Sequence, residues 1–226
     1  MRTIHRAAAA LAAVIALTAT GGAGSASAAT LCNAPLNPCP AANVIPAPFV
    51  IQAAAPAPVT FTMGGFTVTC ATSAFSDRIL NNPGVPINDL IQNWTFGGCT
   101  LNPGGVPCTV VAIPNPPPLN WPTRITTPST TPGADGDFAV DGFGVTITCQ
   151  GMPPCTVVGA GPAQNITGPW YNPTTATPPK PIVSPHAVTS FASGVVGGPA
   201  PCGAGTFTGN YEVTLPPFPG ADLWLV

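Results

Sequence analysis

Charge is what this sequence has least of. Five Lys or Arg and seven Asp or Glu make up 5% of its 226 residues, against roughly 25% in an ordinary soluble domain. Five basic side chains cannot neutralise a useful run of phosphates, so nucleic-acid binding through a basic face is excluded. A floppy acidic or basic tail is excluded as well. Pro and Gly are abundant, at 32 and 25 residues, but 45% of the chain is hydrophobic, and disordered chains combine low hydrophobicity with high net charge.

Titratable groups are equally scarce. There are two histidines, His5 and His186, one glutamate, Glu212, and six aspartates. No G-x-S-x-G elbow is present. Ser184 lies two residues from His186, but a triad would need a distant Asp. Paired carboxylates for glycoside hydrolysis would have to come from the Asp residues and Glu212. We therefore expect no enzyme and no catalytic residue. Asp135, Asp137 and Asp141 cluster in G-A-D-G-D-F-A-V-D-G. Their oxygens suit calcium, yet the acid at the twelfth position of an EF-hand loop is missing and Asp-Gly pairs are ordinary turn formers. Turn chemistry is the expectation, with no metal and no cofactor.

Long helices are the next absence. Proline recurs too often for a helix interior, where it costs about 3 kcal/mol. Only Ala71 to Leu80 has helix-like wording, enough for one or two turns.

What is present begins with an address. Arg2, His5 and Arg6 precede an apolar run, Ala7 to Leu17, that is too short to span a bilayer. Small residues follow and end in Ala26-Ser27-Ala28, an A-x-A cleavage site. Residues 1–28 thus read as a secretory signal peptide with cleavage after Ala28, and the protein is expected to be secreted and extracellular. Cys32 invites a lipoprotein reading, but the residue before it is Leu31, where lipoprotein processing wants a small one. No later stretch is long and apolar enough to span a bilayer, so no transmembrane segment is expected after signal cleavage. Beyond Ala28 the basic residues are Arg78, Arg124 and Lys180 against seven acids.

Eight cysteines follow the signal: Cys32, Cys39, Cys70, Cys99, Cys108, Cys149, Cys155 and Cys202. An even count in an exported chain points to disulfides. No C-x-x-C spacing supports zinc. Spacing suggests Cys32–Cys39, Cys99–Cys108 and Cys149–Cys155 as local staples, since opposed residues of a hairpin lie within disulfide reach. Cys70–Cys202 is left as a long-range bond. The echo P-C-T-V-V, at 107–111 and 154–158, supports two similar strand–turn–strand units.

Residues 29–58 contain seven prolines and read as an Ala/Pro-rich N-terminal arm. From Val59 the texture becomes strand-like, with Val, Ile, Thr and Phe segments between Pro/Gly/Asn turns. Strands are expected at 59–63, 66–70, 90–96, 108–112, 137–140, 144–149, 155–159, 188–193, 205–215 and 222–226. The fold expected for 59–226 is all-β: a disulfide-stapled antiparallel β-sandwich, immunoglobulin-like or barrel-like, with long Pro-rich loops. Two such loops are 114–122, with a short polyproline II run, and 172–185. Trp121, Trp170 and Tyr171 are read as sitting in Pro-rich loops rather than on strands, and loop aromatics on a rigid scaffold are candidate binding residues. Asn93-Trp94-Thr95 and Asn165-Ile166-Thr167 match the glycosylation sequon.

The alanine-rich wording and the signal look actinobacterial. V-T-C at 68–70 with Ser73, N-W-T-F-G-G-C-T, C-T-V-V and Cys202 with G-T-F-T-G-N-Y resemble a group of small secreted actinobacterial proteins. The likeness spans roughly residues 60–215 and implies a secreted β fold without catalytic residues. V-T-I-T-C-Q-G-M-P-P-C-T-V-V-G is similar in layout to the second staple of neocarzinostatin-type apoproteins, which implies a carrier of a small apolar molecule. The leading expectation is a non-enzymatic structural or interaction protein of the cell exterior. Its partner would be a protein, the cell wall or a small apolar ligand. The alternative is the extracellular carrier. A buried chamber lined with Phe and Leu would favour the carrier, and a filled core the interaction protein.

Overall fold

The computed structural model describes residues 28–114, 119–175, 180–199, 201–216 and 222–226. The signal segment, apart from Ala28, and the centres of both Pro-rich loops lie outside the described residues. Among the described residues fourteen strands form: β1 (Leu31–Cys32), β2 (Phe49–Ala54), β3 (Val59–Met63), β4 (Phe66–Ile79), β5 (Ile87–Asn102), β6 (Val106–Ala112) and β7 (Trp121–Thr126), then β8 (Gly136–Val140), β9 (Gly144–Cys149), β10 (Cys155–Gly159), β11 (Ile166–Tyr171), β12 (Ala187–Gly197), β13 (Ala204–Thr214) and β14 (Trp224–Leu225).

Every pairing is antiparallel, and the large sheet closes on itself. Four long strands, β4, β5, β12 and β13, run its whole height. The other four positions are each filled by two strands end to end: β2 then β3, β6 then β7, β8 then β9, β10 then β11. One ring of pairings runs β3–β4–β5–β6–β9–β10–β12–β13 and back to β3. The other runs β2–β4–β5–β7–β8–β11–β12–β13 and back to β2. The result is the barrel-like form of the expected all-β fold, an up-and-down closure with no open edge. The seam between β13 and β3 is tight. A Cβ on Gly205 would come within 1.7 Å of the Thr62 carbonyl oxygen, so only glycine lets the two backbones meet there.

The period-2 alternation of a strand sorts the residues of each wall. On β4, Ser73, Phe75, Asp77 and Ile79 face inward, and on β5, Ile87, Asp89, Ile91 and Trp94. At the end of the barrel where β5 begins, β1 and β14 pair as a two-stranded lid, Leu31 opposite Leu225 and Cys32 opposite Trp224. Asparagine side chains tie the lid down by imitating a strand neighbour. Asn82 Nδ2 donates to the carbonyls of Leu31 and Ile45, and Asn82 Oδ1 accepts from Leu31 N. Asn172 does the same for Leu225.

Three expectations change. The segment 29–58, read as a flexible arm, supplies β1 and β2, and β2 sits in the wall between β13 and β4. Its prolines stand between these strands, and F-V-I-Q-A-A alternates freely between them. Ala71 to Ile79 is strand, not helix, and Leu80 lies just past its end. Local wording there allows either, but β4 gains a neighbour along each side only when extended.

The third change is disulfide connectivity. All eight cysteines are bonded, as Cys32–Cys39, Cys70–Cys99, Cys108–Cys149 and Cys155–Cys202. Only the first matches the spacing-based pairing. Cys70, Cys99, Cys108 and Cys149 stand opposite one another in a single row across β4, β5, β6 and β9. Cys99 does face Cys108. Bonding that pair, however, would strand Cys70 and Cys149 three strand spacings apart, roughly 14 Å and beyond disulfide reach. Pairing outward satisfies all four. Cys155 opposes Ile147 rather than Cys149, and instead reaches Cys202 in the β12–β13 turn.

Candidate functional site

The barrel's interior is filled with aromatic rings. Trp94 lies at its centre, with the ring centroids of Phe75 4.8 Å, Phe143 5.5 Å, Tyr211 5.6 Å and Trp121 6.0 Å away. Phe61, Phe138, Phe191 and Phe207 complete the packing, all fully buried. The polar tips are satisfied internally. Trp94 Nε1 donates to Ser73 Oγ at 3.0 Å, and Ser73 Oγ lies 2.8 Å from the Tyr211 hydroxyl. Burial holds the Tyr211 phenol well above its ordinary pKa.

Trp121, Trp170 and Tyr171, the candidate binding residues, are 4%, 0% and 3% exposed. They lie on β7 and β11, not in loops. Trp121 Nε1 donates to the Ile113 carbonyl, and Trp170 Nε1 to Asn172 Oδ1. Prolines adjoin them in the chain, Pro122 after Trp121 and Pro169 before Trp170. Each occupies a place where a missing N–H costs little: Pro122 stands just past the last β7–β8 pair, and β11 pairs with β12 only at Trp170 and Tyr171.

Below the aromatic plug lies a site that the sequence did not announce. Asp77 on β4, Asp89 on β5 and Thr123 on β7 all point into the barrel, at 0%, 1% and 3% exposure. Asp89 stands directly opposite Thr123. Thr123 Oγ1 donates toward Asp77, 3.2 Å from Oδ1 and 3.3 Å from Oδ2. Among the described residues, neither oxygen of Asp89 has a hydrogen-bond partner. Burial pushes the Asp77 carboxyl up to about 7, partly offset by its bonds to Thr123 and to the Leu90 and Arg78 backbone. Burial, with the Asp77 charge second, holds Asp89 well above the carboxylate range. The only available signal was period: Asp89 lies between Ile87 and Ile91, and Asp77 between Phe75 and Ile79, on inward-facing parity.

Most of the remaining titratable groups are occupied structurally. Asp135 accepts from Asn172 N and Thr175 Oγ1, Asp137 from Ser129 Oγ and Thr130, and Asp141 pairs with Arg124. These three aspartates serve separate turns rather than converging. Lys180 is buried and donates toward the carbonyls of Asn172, Pro173, Ser184 and His186, and burial lowers its pKa. His186 Nδ1 meets Asp222, not Ser184 Oγ, which accepts from the His186 backbone.

The outer wall is rich in hydroxyl groups. Thr208, Thr60, Thr69 and Thr100 form one row across β13, β3, β4 and β5. Thr206, Thr62, Thr67 and Asn102 form the next. Apolar inside and polar outside is the reverse of a lipid-embedded barrel. A groove of about 450 Å³ crosses β7, β8, β11 and β12, lined by Arg124, Thr130, Asp137, Thr167 and Ser190 among others.

The chain matches no protein-family model, no curated protein and no solved structure. Function has to be argued from the molecule itself.

Proposed function

We propose that the protein is secreted and acts outside the cell as a non-enzymatic structural or interaction protein. The observation that carries this reading is the pairing of a ring-filled interior with a sparsely charged, hydroxyl-rich wall. A filled interior gives the alternative, a carrier, no chamber for a small apolar guest. Four disulfides fit an oxidising compartment. The likeness to small secreted actinobacterial proteins supports the same reading.

The contact surface we assign is the pair of threonine rows. β-branched side chains are stiff at χ1, so ordering them on binding costs little entropy. The test measures retention of the purified protein on cell walls and secreted proteins from its source culture. Thr60→Lys with Thr69→Lys should abolish retention while leaving the fold intact, because both side chains face outward. Undiminished retention, or a hydrolytic activity lost in His186→Ala, would count against the proposal.

A further inference from the structure

We infer that Thr123 and Asp77 become joined by an ester bond formed within the folded chain, with Asp89 relaying the protons. Three observations converge on it. The Thr123 hydroxyl sits at 3.2 and 3.3 Å from the two Asp77 oxygens. Ordinary O–H···O bonds run at about 2.5–3.0 Å and favour one lone pair. Thr123 Oγ1 therefore faces the carboxyl group as a whole, and with it the carbon between the two oxygens.

Asp89 supplies the second observation. A fully buried carboxyl with neither oxygen bonded is costly and calls for a reason. It stands opposite Thr123 and close enough to Asp77 to feel its charge. The third is dryness. Ile79, Ile87, Ile91 and Ile125, all buried, surround these positions along the same three strands, and the lid covers this end of the barrel. Excluding water favours condensation over hydrolysis and shifts both carboxyls toward the protonated form.

The step balances without any co-reactant. Thr123 Oγ1 attacks the Asp77 carboxyl carbon. Once the Asp89 side chain turns toward the pair, one of its oxygens takes the Thr123 proton while the other gives its proton to the departing Asp77 hydroxyl. An ester C–O bond forms, the acid C–OH bond breaks, one water leaves, and Asp89 ends as it began. The product ties β4 to β7 across β5.

Mass spectrometry of the secreted protein decides the matter. After denaturation, reduction and alkylation, trypsin cuts at Arg78 and Arg124. This puts Asp77 in the peptide ending at Arg78 and Thr123 in the peptide 79–124. We expect these two peptides as one species, one water lighter than their sum, which mild alkali separates. Asp89→Asn and Thr123→Val should each yield the two peptides separately, with all four disulfides retained as the sign of a folded chain. Two separate full-mass peptides from the native protein would overturn the inference. So would a water lost within 79–124 alone, or one lost as a succinimide at Asp135-Gly136 or Asp141-Gly142.

Discussion

Asp89 shows how much a single inward position can decide. Its burial makes the folded protein hold a proton that the unfolded chain releases near pH 4. The sign follows by linkage: a raised folded pKa gives stability that is complete below the unfolded value and is lost as pH rises. Asp77, wherever its carboxyl is free, adds to the loss between about pH 4 and about 7. Urea midpoints should therefore fall from pH 4 to pH 8, and Asp89→Asn should flatten that slope; a midpoint that rises with pH would contradict this. The aromatic residues make the opposite kind of contribution. Trp121→Ala and Trp170→Ala should each cost about 3–5 kcal/mol in denaturant titrations, as core truncations do. A cost below about 1 kcal/mol would return these residues to the surface.

At the scale of elements, the disulfides separate what spacing can say from what register says. Peptide mapping should find Cys70–Cys99, Cys108–Cys149 and Cys155–Cys202, and Cys99 joined to Cys108 would contradict the row across β4, β5, β6 and β9. Closing 7 residues, as in Cys32–Cys39, contributes about 2 kcal/mol in the chain-entropy model, and closing 47, as in Cys155–Cys202, about 4 kcal/mol. Replacing the second pair with alanine should thus lower the thermal midpoint more than replacing the first. Strands β3, β9 and β10 were legible to the residue, because alternating Val, Ile and Thr between turn residues has one physical meaning. Each missed strand has its own cause. In β7 and β11 a proline sits where the ladder has stopped, and in β2 the strand is hemmed by prolines. In β4 the inward row holds Ser73 and Asp77, so its alternation does not look apolar. The same two polar residues belong to the interior networks, so those networks and the strand that carries them were hidden together. Which strand neighbours which is a long-range fact, and neither the carboxyl pair nor the cysteine row can be read before closure places β4, β5 and β7 side by side.

For the whole molecule, scarcity of charge shapes how it meets others. A sparsely charged wall gives little electrostatic steering, so retention on its partner should change little between low and high salt. Binding that collapses as salt is raised would point to the few charged groups, Arg124 and Asp137 in the groove foremost. The lid has a mechanical consequence. Thr30 and Val226 exchange backbone hydrogen bonds with each other, so both ends of the described chain leave the barrel at one pole. Tension applied through these two points would peel the two-residue ladder of β1 and β14 apart, one bond at a time. The closed wall behind it would carry load only afterwards, so under force this molecule should give way first at its lid while the barrel keeps its shape.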